Sequence, residues 1–505
     1  MIDPHSPVIV GVGQASQRLD DLSDAREPID LLADAVRAAD ADTGATRSLV
    51  RAADTFAVVD MLSWKYADPG ALLARRLGIG TAVTSVTTTV GGNSPELLVH
   101  ELSPAITKGD TRIAVIGGSE CIYSRWRARR EPKVWLEWTK TEDAPCHHVI
   151  GDARPGTNDY EVAHLAAAPT QIYPLFETAL RGRAGRDVTA HQRHVSELWA
   201  HFAAVAADNP HAWSRIAYSP EEIRTADADN RVVTFPYLKR MCANIDTDQA
   251  AAVILCSYEV ARDAGVAQDR MVFPLAGADA YDHFWFSERD SLATSPAIRA
   301  AGDAALDAAR SGIDDVARFD LYSCFPAAVE MAMEALRLRG PQAGDSRPLT
   351  VTGGLGFAGG PGNNYSTHSI AMMVDACRRD PGSVGMVTAL GWYVTKHSIG
   401  LYSTTPPGAR FARVDPAVTQ STVDATPRRG VTGPYSGPAT VEATSVVFDR
   451  DGMPAVAIVS TLTPDGRRAL ANSHDADILG SMTEEAWECR AVHLDTDGTT
   501  STLAP

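Results

Sequence analysis

The 505-residue sequence predicts an α/β protein of two similar αβαβα-layered halves, with a cap inserted into the first half and a small antiparallel β-barrel at the C-terminal end. Strand and helix signals alternate from the start of the chain, the pattern of a largely parallel sheet clothed by helices. The alternation returns in the second half, where VGMVTALGW at 384–392 answers TRIAVIGG at 111–118, each following a helix and a Gly-containing turn. Beyond residue 430, Asp-Gly pairs separate short alternating apolar runs, the strongest short-range hairpin signal. A chain of this length also exceeds the roughly 250–300 residues at which one core stops growing, so several domains are expected.

In order, PVIVGVG (7–13) reads as a strand, DAREPIDLLADAVRAADADTG (24–44) as a helix, DTFAVVD (54–60) as a strand and ALLARRLGIG (71–80) as a helix closing on glycine. VGGNSPELLVHELSPAITKGDTRIAVIGG (90–118) then supplies a tight turn, a helix, a Gly109-Asp110 turn and a strand. Ser94 is expected as the N-cap of that helix with Pro95 in its first position, and Pro104 should kink or shorten it. The stretch 121–240 turns Trp-, Arg- and His-rich and reads as the cap, with helices around 174–182 and 191–209. IDTDQAAAVILCSYEVARDAG (245–265) completes the first half, 1–270. The second half, 271–406, runs VFPLAGADA, a helix over about 296–311, FDLYSCF, a helix closed by Gly340, GGLGFAGGPGNNYSTHSIAMMVDACRRDPG and SVGMVTALGWYVTKHSIGLYST. A Pro-, Thr- and Asp-rich linker spans 407–430, and 431–505 form the barrel.

Composition excludes several function classes. With 45% hydrophobic and 22% charged residues, the chain has an ordinary globular makeup. No apolar run approaches the roughly 20 residues of a membrane-spanning helix. MIDPHSPVIVGVG lacks the basic start and cleavage site of a signal peptide, so a cytoplasmic protein without membrane association is expected. Seven scattered cysteines without CxxC pairs fit a reducing compartment and argue against structural zinc, and Cys146-His147-His148 has no spaced partner, so no metal is expected. A net charge of −17 repels nucleic acid. A phosphate-bearing ligand must therefore meet a local basic patch. Arg125, Arg127, Arg129, Arg130 and Lys133 with Trp126, Trp135 and Trp138 form one candidate, and Arg181, Arg183, Arg186 and Arg193 a second. Cations beside stacking rings suit a nucleotide-tailed ligand such as CoA, while arginines on solvated helix faces are the plainer reading.

Five segments in order carry a family resemblance: the Gly92 region, CANIDTDQAAAVIL (242–255), LYSCFPAAVEMAMEAL (321–336), GGLGFAGGPGNN (353–364) and TALGW (388–392). Over residues 6 to about 405 the chain resembles the thiolase superfamily, closest to its sterol-carrier-protein-type branch and to thiolase-like proteins with an additional C-terminal domain. The resemblance implies the thiolase fold, an OB-like barrel after it, and CoA or acyl-CoA as ligand or substrate with no permanently bound cofactor. Conventional thiolases dimerise through the first-half sheet edge, a contact that an added barrel could block or replace. The implied partners are accordingly a second copy of the chain or a thiolase-like complex partner.

The family's catalytic set does not carry over. With Gly109-Asp110 and Gly117-Gly118 in register, Gly92 stands where thiolases hold the acyl-accepting cysteine, Gly360 replaces the histidine of Gly-His-Pro, and Ala389 replaces the second cysteine. A hydrogen cannot attack a thioester, no imidazole stands to activate a nucleophile, and no thiol moves the second proton. Cys324 takes the place of a family cysteine that is not the nucleophile and reads as a buried small residue. Ser94 suits a helix start better than a nucleophile.

The polar residues left near the implied cavity are Asn93, Tyr322, Ser323, Asn363, Asn364, Tyr365, His368, Lys396 and His397. Asn244 stands at the family's substrate-facing serine. Tyr322 takes the place of an oxyanion-hole Asn or His, and Tyr365 follows the Gly-rich turn. A tyrosine pair so placed is similar to that of a thiolase-like retro-aldolase, whose chemistry needs a base on a hydroxyl and support for an enolate but no acyl-enzyme. Tyr322, Tyr365 and His397 are thus the catalytic candidates. Asn93, Ser94, Asn244, Ser323, Gly359, Asn363, Arg125 and Trp126 are candidates for substrate or CoA binding. Packing tyrosines and a structural histidine are the alternatives. Three functions remain open: carbon–carbon cleavage or acyl transfer on acyl-CoA in lipid or sterol metabolism, non-catalytic acyl-CoA binding, and a scaffold subunit.

Overall fold

Runs such as IAVIGG and AAVILC have no polar face, so the strands that carry them must be covered on both sides. The computed structural model, which describes residues 2–80, 82–131, 134–140, 144–408 and 411–504, meets this demand with five layers. The first half contributes β1 (Pro7–Ser16), β2 (Thr55–Val58), β3 (Thr84–Thr88) and β4 (Ile113–Cys121). The cap adds β5 (Val149–Ile150), β6 (Val232–Phe235) and β7 (Tyr237–Leu238), and β8 (Asp248–Ser257) returns to the first sheet, whose order is β1-β8-β4-β2-β3-β5. The second half supplies β9 (Phe273–Tyr281), β10 (Val316–Asp320), β11 (Val384–Gly391), β12 (Lys396–Ser403) and β13 (Ala412–Arg413), ordered β10-β11-β12-β9-β13.

The series β1-β8-β4-β2 of one sheet corresponds to β9-β12-β11-β10 of the other. Where the first half has β3, the second has only an extended segment, 348–352, whose Pro348 and Leu349 carbonyls accept hydrogen bonds from Phe319 and Leu321 N (2.8 and 3.0 Å). Helices Ser94–Lys108 and Tyr365–Arg379 lie between the sheets and touch strands of both, while Pro28–Asp42 and Pro296–Ala309 cover the outer faces. Pro104 does not shorten its helix, which runs on to a left-handed Gly109 (φ 82°). The apolar burial of a helix enclosed by two sheets outweighs the roughly 3 kcal/mol that an interior proline costs.

The C-terminal residues form a closed five-stranded barrel. Its strands are β14 (Gly437–Phe448), β15 (Pro454–Leu462), β16 (Arg468–Ser473), β17 (Ala491–Thr496) and β18 (Ser501–Leu503), linked in the circuit β14-β15-β16-β18-β17-β14. All pairings are antiparallel except β16–β18. A helix, Ala476–Glu484, lies between β16 and β17. Closure removes free sheet edges, the usual liability of a small β domain.

The barrel is joined to the cap. Strand β6 pairs with β14 through Phe235↔Val446 and Thr234↔Val447, so the cap hairpin extends the barrel sheet. Thr178 Oγ1 donates to the Thr444 carbonyl (3.0 Å) and accepts from Thr444 N (2.9 Å). The Arg468 guanidinium, fully buried, binds Glu442 (2.7 Å) and the Ser287 carbonyl (2.9 Å). Arg181 and Glu488, 1% and 5% exposed, pair at 2.6 Å across the same seam. At the far edge of the first sheet, β5 pairs in parallel with the end of β3 (Thr87↔Val149, Thr88↔Ile150). Removing one partner of a buried pair leaves the other charge unmatched, so Glu488→Ala should cost about 3–5 kcal/mol in urea denaturation.

Candidate functional site

The turn between β3 and helix Ser94–Lys108 is held from three directions. Asn93, not Ser94, occupies the N-cap position, and its side chain makes no capping bond. Ser94 falls inside the helix because its Oγ donates back to the Thr89 carbonyl (3.2 Å), closing the turn on itself. From the second half, Asn363 Oδ1 accepts from Gly91 N (2.9 Å) while its Nδ2 donates to the Asp60 carbonyl (2.8 Å), and Ser366 Oγ donates to the Gly92 carbonyl (2.9 Å). From β12, Lys396 Nζ donates to the carbonyls of Val90 (2.9 Å) and Asp152 (2.6 Å). Burial lowers the Lys396 ammonium to a pKa of about 8, against the weaker opposing pull of Asp152.

Gly92 faces a tyrosine. A Cβ placed on it would fall inside the contact shell of Tyr322 Oη and only 2.5 Å from the Leu390 carbonyl oxygen. Leu390 lies between Ala389 and Gly391, and a Cβ on Gly391 would stand 2.5 Å from Asn93 Oδ1. The space beside the turn is thus filled by a phenol and two backbone segments. Burial raises the Tyr322 phenol well above its usual range, with Cys324 a lesser cause, and no hydrogen bond reaches its Oη among the described residues.

Tyr365 stands edge-on to Tyr322, with ring centroids 5.4 Å apart, but its hydroxyl is engaged. It bonds Thr352 Oγ1 (2.6 Å) and donates to Asp320 Oδ1 (3.0 Å). Asp320, fully buried, also accepts from Ser369 Oγ, Thr350 Oγ1, Val351 N and Thr352. Burial, reinforced by this carboxylate, holds the Tyr365 phenol protonated.

The other candidates divide. Asn244, half-buried, accepts from Gly360 N (2.8 Å) and donates to the Leu355 carbonyl (3.0 Å), so the Gly360 position is closed by backbone. Gly359 adopts φ 111° with Gln249 where a side chain would go, a place only glycine fills without strain. Ser323 Oγ accepts from Leu355 N (3.3 Å). Asn364 Nδ2 donates to the Gly118 carbonyl (2.7 Å), and His368 Nδ1 meets Gln14 Oε1 (2.6 Å). His397 points to the other face of β12 from Lys396, as strand alternation requires. It lies 3.5 Å from Asp282 Oδ2, a carboxylate that accepts from Ala297 N (3.0 Å) at the head of helix Pro296–Ala309. The pair belongs to the outer layer, away from the Gly92 turn.

A cleft of about 650 Å³ opens beside Asn244. Its floor joins the site, because Ala243 N donates to the Cys324 carbonyl (2.9 Å), two residues from Tyr322. Arg18, Arg127, Arg130, Arg215, Lys239 and Arg240 line it, Arg127 paired with Glu131 (2.8 Å) and Arg240 with Asp227 (3.0 Å). Several lie over rings: Arg18 on Trp213 (5.2 Å), Arg130 on Trp126 (5.5 Å) and Arg240 on Tyr218 (4.6 Å). Trp126 thus lines the cleft. Arg125 does not: its Nη1 turns to the Leu62 carbonyl (3.5 Å) on the other side of helix Ile122–Arg130. Trp138 packs edge-on against Trp64, Trp135 is exposed, and Lys133 lies outside the described residues. In the second Arg-rich run, Arg181 pairs with Glu488, Arg183 with Glu334 and Arg186 with Glu330, so those cations are occupied by carboxylates.

A crystal structure of a monomeric SCP2-thiolase-like protein type 1 from Mycobacterium smegmatis is 32% identical to the chain, matches 100% of both chains and superposes with a TM-score of 0.84. This chain belongs to the type 1 SCP2-thiolase-like proteins. Consistent with that, residues 419–499 match the thiolase-like protein type 1 additional C-terminal domain. The fold alone is shared with two further structures. The Ltp2-ChsH2(DUF35) aldolase is 18% identical over 79% of this chain and 98% of its own, at a TM-score of 0.59. An acetyl-CoA acetyltransferase from Syntrophomonas wolfei is 15% identical over 80% of this chain and 100% of its own, at 0.55. No curated protein matches the sequence.

This SCP2-thiolase-like protein also holds two buried titratable groups that pattern reading passes over. Glu120, at the end of β4, accepts from Leu62 N and Ser63 N (both 2.7 Å) and packs against Gly362 of the Gly-rich turn, and burial pushes its carboxyl up to about 7. The GGSE string at 117–120 was the available signal. His100, one turn after Glu96, meets Asp279 Oδ1 (3.0 Å) and Glu96 Oε1 (3.4 Å). Burial opposes its charge, but the two carboxylates outweigh that and raise it to about 9. A histidine raised this way stabilises fully below its unfolded pKa of about 6.5 and loses the contribution as pH climbs through 9. The stability difference between wild type and His100→Gln should therefore shrink between pH 6.5 and 9.5 in urea melts. Filling the Gly92 space should be costly too. Gly92→Ala is expected to lose about 1–3 kcal/mol through overpacking, and a smaller loss in the Gly92→Ala, Tyr322→Leu double variant would identify the phenol as the obstacle.

Proposed function

We propose that this protein receives a CoA-type thioester in the arginine- and aromatic-lined cleft and handles it without an acyl-enzyme. The observation that carries the reading is the Tyr322 phenol beside Gly92, where a thiolase has its sulfur. A protonated phenol cannot take an acyl group readily, yet it can give a proton. Its raised pKa keeps that proton in place at neutral pH.

The chemistry that suits such a group is carbon–carbon cleavage of a β-hydroxyacyl thioester. The substrate hydroxyl gives its proton to a water in the cleft, the Cα–Cβ bond breaks to a carbonyl compound and a thioester enolate, and the enolate takes the Tyr322 proton at Cα. The proton carried by the water then returns to the phenoxide, so nothing is left over. Tyr365, engaged with Asp320 and Thr352, takes the part of positioning Tyr322 edge-on. That same engagement favours a second reading, a protein that holds acyl-CoA of lipid or sterol metabolism and releases it unchanged. The edge pairing of β5 on β3 supports a monomer in either case, and a cytoplasmic setting accords with the reduced cysteines.

Native mass spectrometry after incubation with a panel of acyl-CoAs, β-hydroxyacyl-CoAs among them, tests both. Retained ligand with a shortened acyl-CoA product supports cleavage, and Tyr322→Phe should then keep the ligand and lose the product. Retention without turnover supports the holding role. In both cases Arg18→Ala with Arg130→Ala should weaken retention about tenfold or more, as lost phosphate contacts would. A covalent acyl adduct on any residue would overturn the proposal.

A further inference from the structure

A second cluster of chemistry-bearing side chains lies where two cap helices meet the second half. Glu177 of helix Pro169–Ala184, His191 of Val188–Asp208 and Glu330 of Pro326–Ala335 bring one donor atom each to within 4.8 Å of one another. Glu177 Oε1 stands 2.6 Å from His191 Nε2, and Glu177 Oε2 accepts the Tyr237 hydroxyl (2.6 Å). His194, one turn further along, places Nε2 3.2 Å from Glu330 Oε2. Glu330 Oε1 is buried without a hydrogen-bond partner among the described residues.

Glu177 and Glu330 face each other in a dry interior, where two like charges repel. His191 brings a ring nitrogen into the same space. One imidazole and two carboxylates, with a second imidazole close by, make the N,O donor set of a borderline divalent cation. The Tyr237 bond to Glu177 is of the kind that orients a ligating carboxylate from outside. Arg186 opposes the idea: its Nη1 is 3.5 Å from His191 Nδ1 and 3.8 Å from Glu330 Oε2. Its side chain is 31% exposed, however, so it has a route into solvent when a cation takes its place.

We propose that Glu177, His191 and Glu330 form a divalent metal site selective for Zn²⁺-like ions, with His194 or water completing the coordination. The ion would tie both cap helices to the helix that begins four residues after Tyr322. This makes it a structural staple, and the proposal stands independently of any catalytic role.

The test uses the full chain, stripped with EDTA, loaded with Zn²⁺ alone, dialysed and assayed for metal by mass spectrometry, with thermal melting alongside. Wild type should retain about one ion per chain and melt several degrees higher with Zn²⁺ than without. His191→Gln and Glu330→Gln, shown folded by circular dichroism, should lose both effects. His148→Gln, which alters the Cys146-His147-His148 run, should keep them. Equal metal content in wild type and Glu330→Gln would overturn the site. So would a wild type that retains no metal, above all if Glu330→Gln then melts higher, because the two carboxylates would be sharing a proton instead.

Discussion

Protein interiors pack as densely as organic crystals, and two groups cannot occupy one volume. At the head of helix Ser94–Lys108 that rule decides the chemistry available. The phenol of Tyr322 and the carbonyl of Leu390 fill the volume next to Gly92, so a side chain there must displace one or the other. The neighbouring departures from a thiolase follow the same logic. Gly360 is closed by the Asn244 carbonyl, and Ala389 lies buried in β11 opposite Ser398 on β12. Nothing in this arrangement resembles a thiolase that has lost a single residue. The pocket has been refilled around a different polar group.

What holds that pocket is a set of bonds between segments far apart in the chain. Asn363 and Ser366 reach back to Gly91 and Gly92, Lys396 reaches to Val90, and Asp320 gathers Tyr365, Ser369, Thr350 and Thr352. The hairpin turn after Gly391 carries Trp392 and Val394 at φ 58° and 52°, conformations that a bulky or β-branched residue adopts only under external constraint. The constraint comes from the cap and from the second half: Tyr173 Oη donates to the Trp392 carbonyl (3.0 Å) and Arg289 to the Tyr393 carbonyl (2.9 Å).

The order of layers was legible because strand and helix periods are local, and Gly109-Asp110 with Gly117-Gly118 set the register that places Gly92. The barrel was legible from its Asp-Gly turns, although three-residue β18 is too short to leave a pattern. The site was harder to read because its facts are long-range. Strand phase alone decides that Lys396 faces the turn and His397 does not, and no neighbouring residue reveals that phase. Helix Ile122–Arg130 carries arginine on every side, so composition could not tell that Arg127 and Arg130 line the cleft while Arg125 looks away. Arg181 resembled a phosphate ligand until its partner, Glu488, arrived from the far end of the chain.

The continuity of β6 with β14 bears on how anything gains entry. A cap stitched by backbone hydrogen bonds onto a barrel strand cannot swing like a door without breaking that pairing. The mouth beside Asn244 is then an aperture of fixed outline, and a molecule's girth, more than any gripping motion, decides whether it passes.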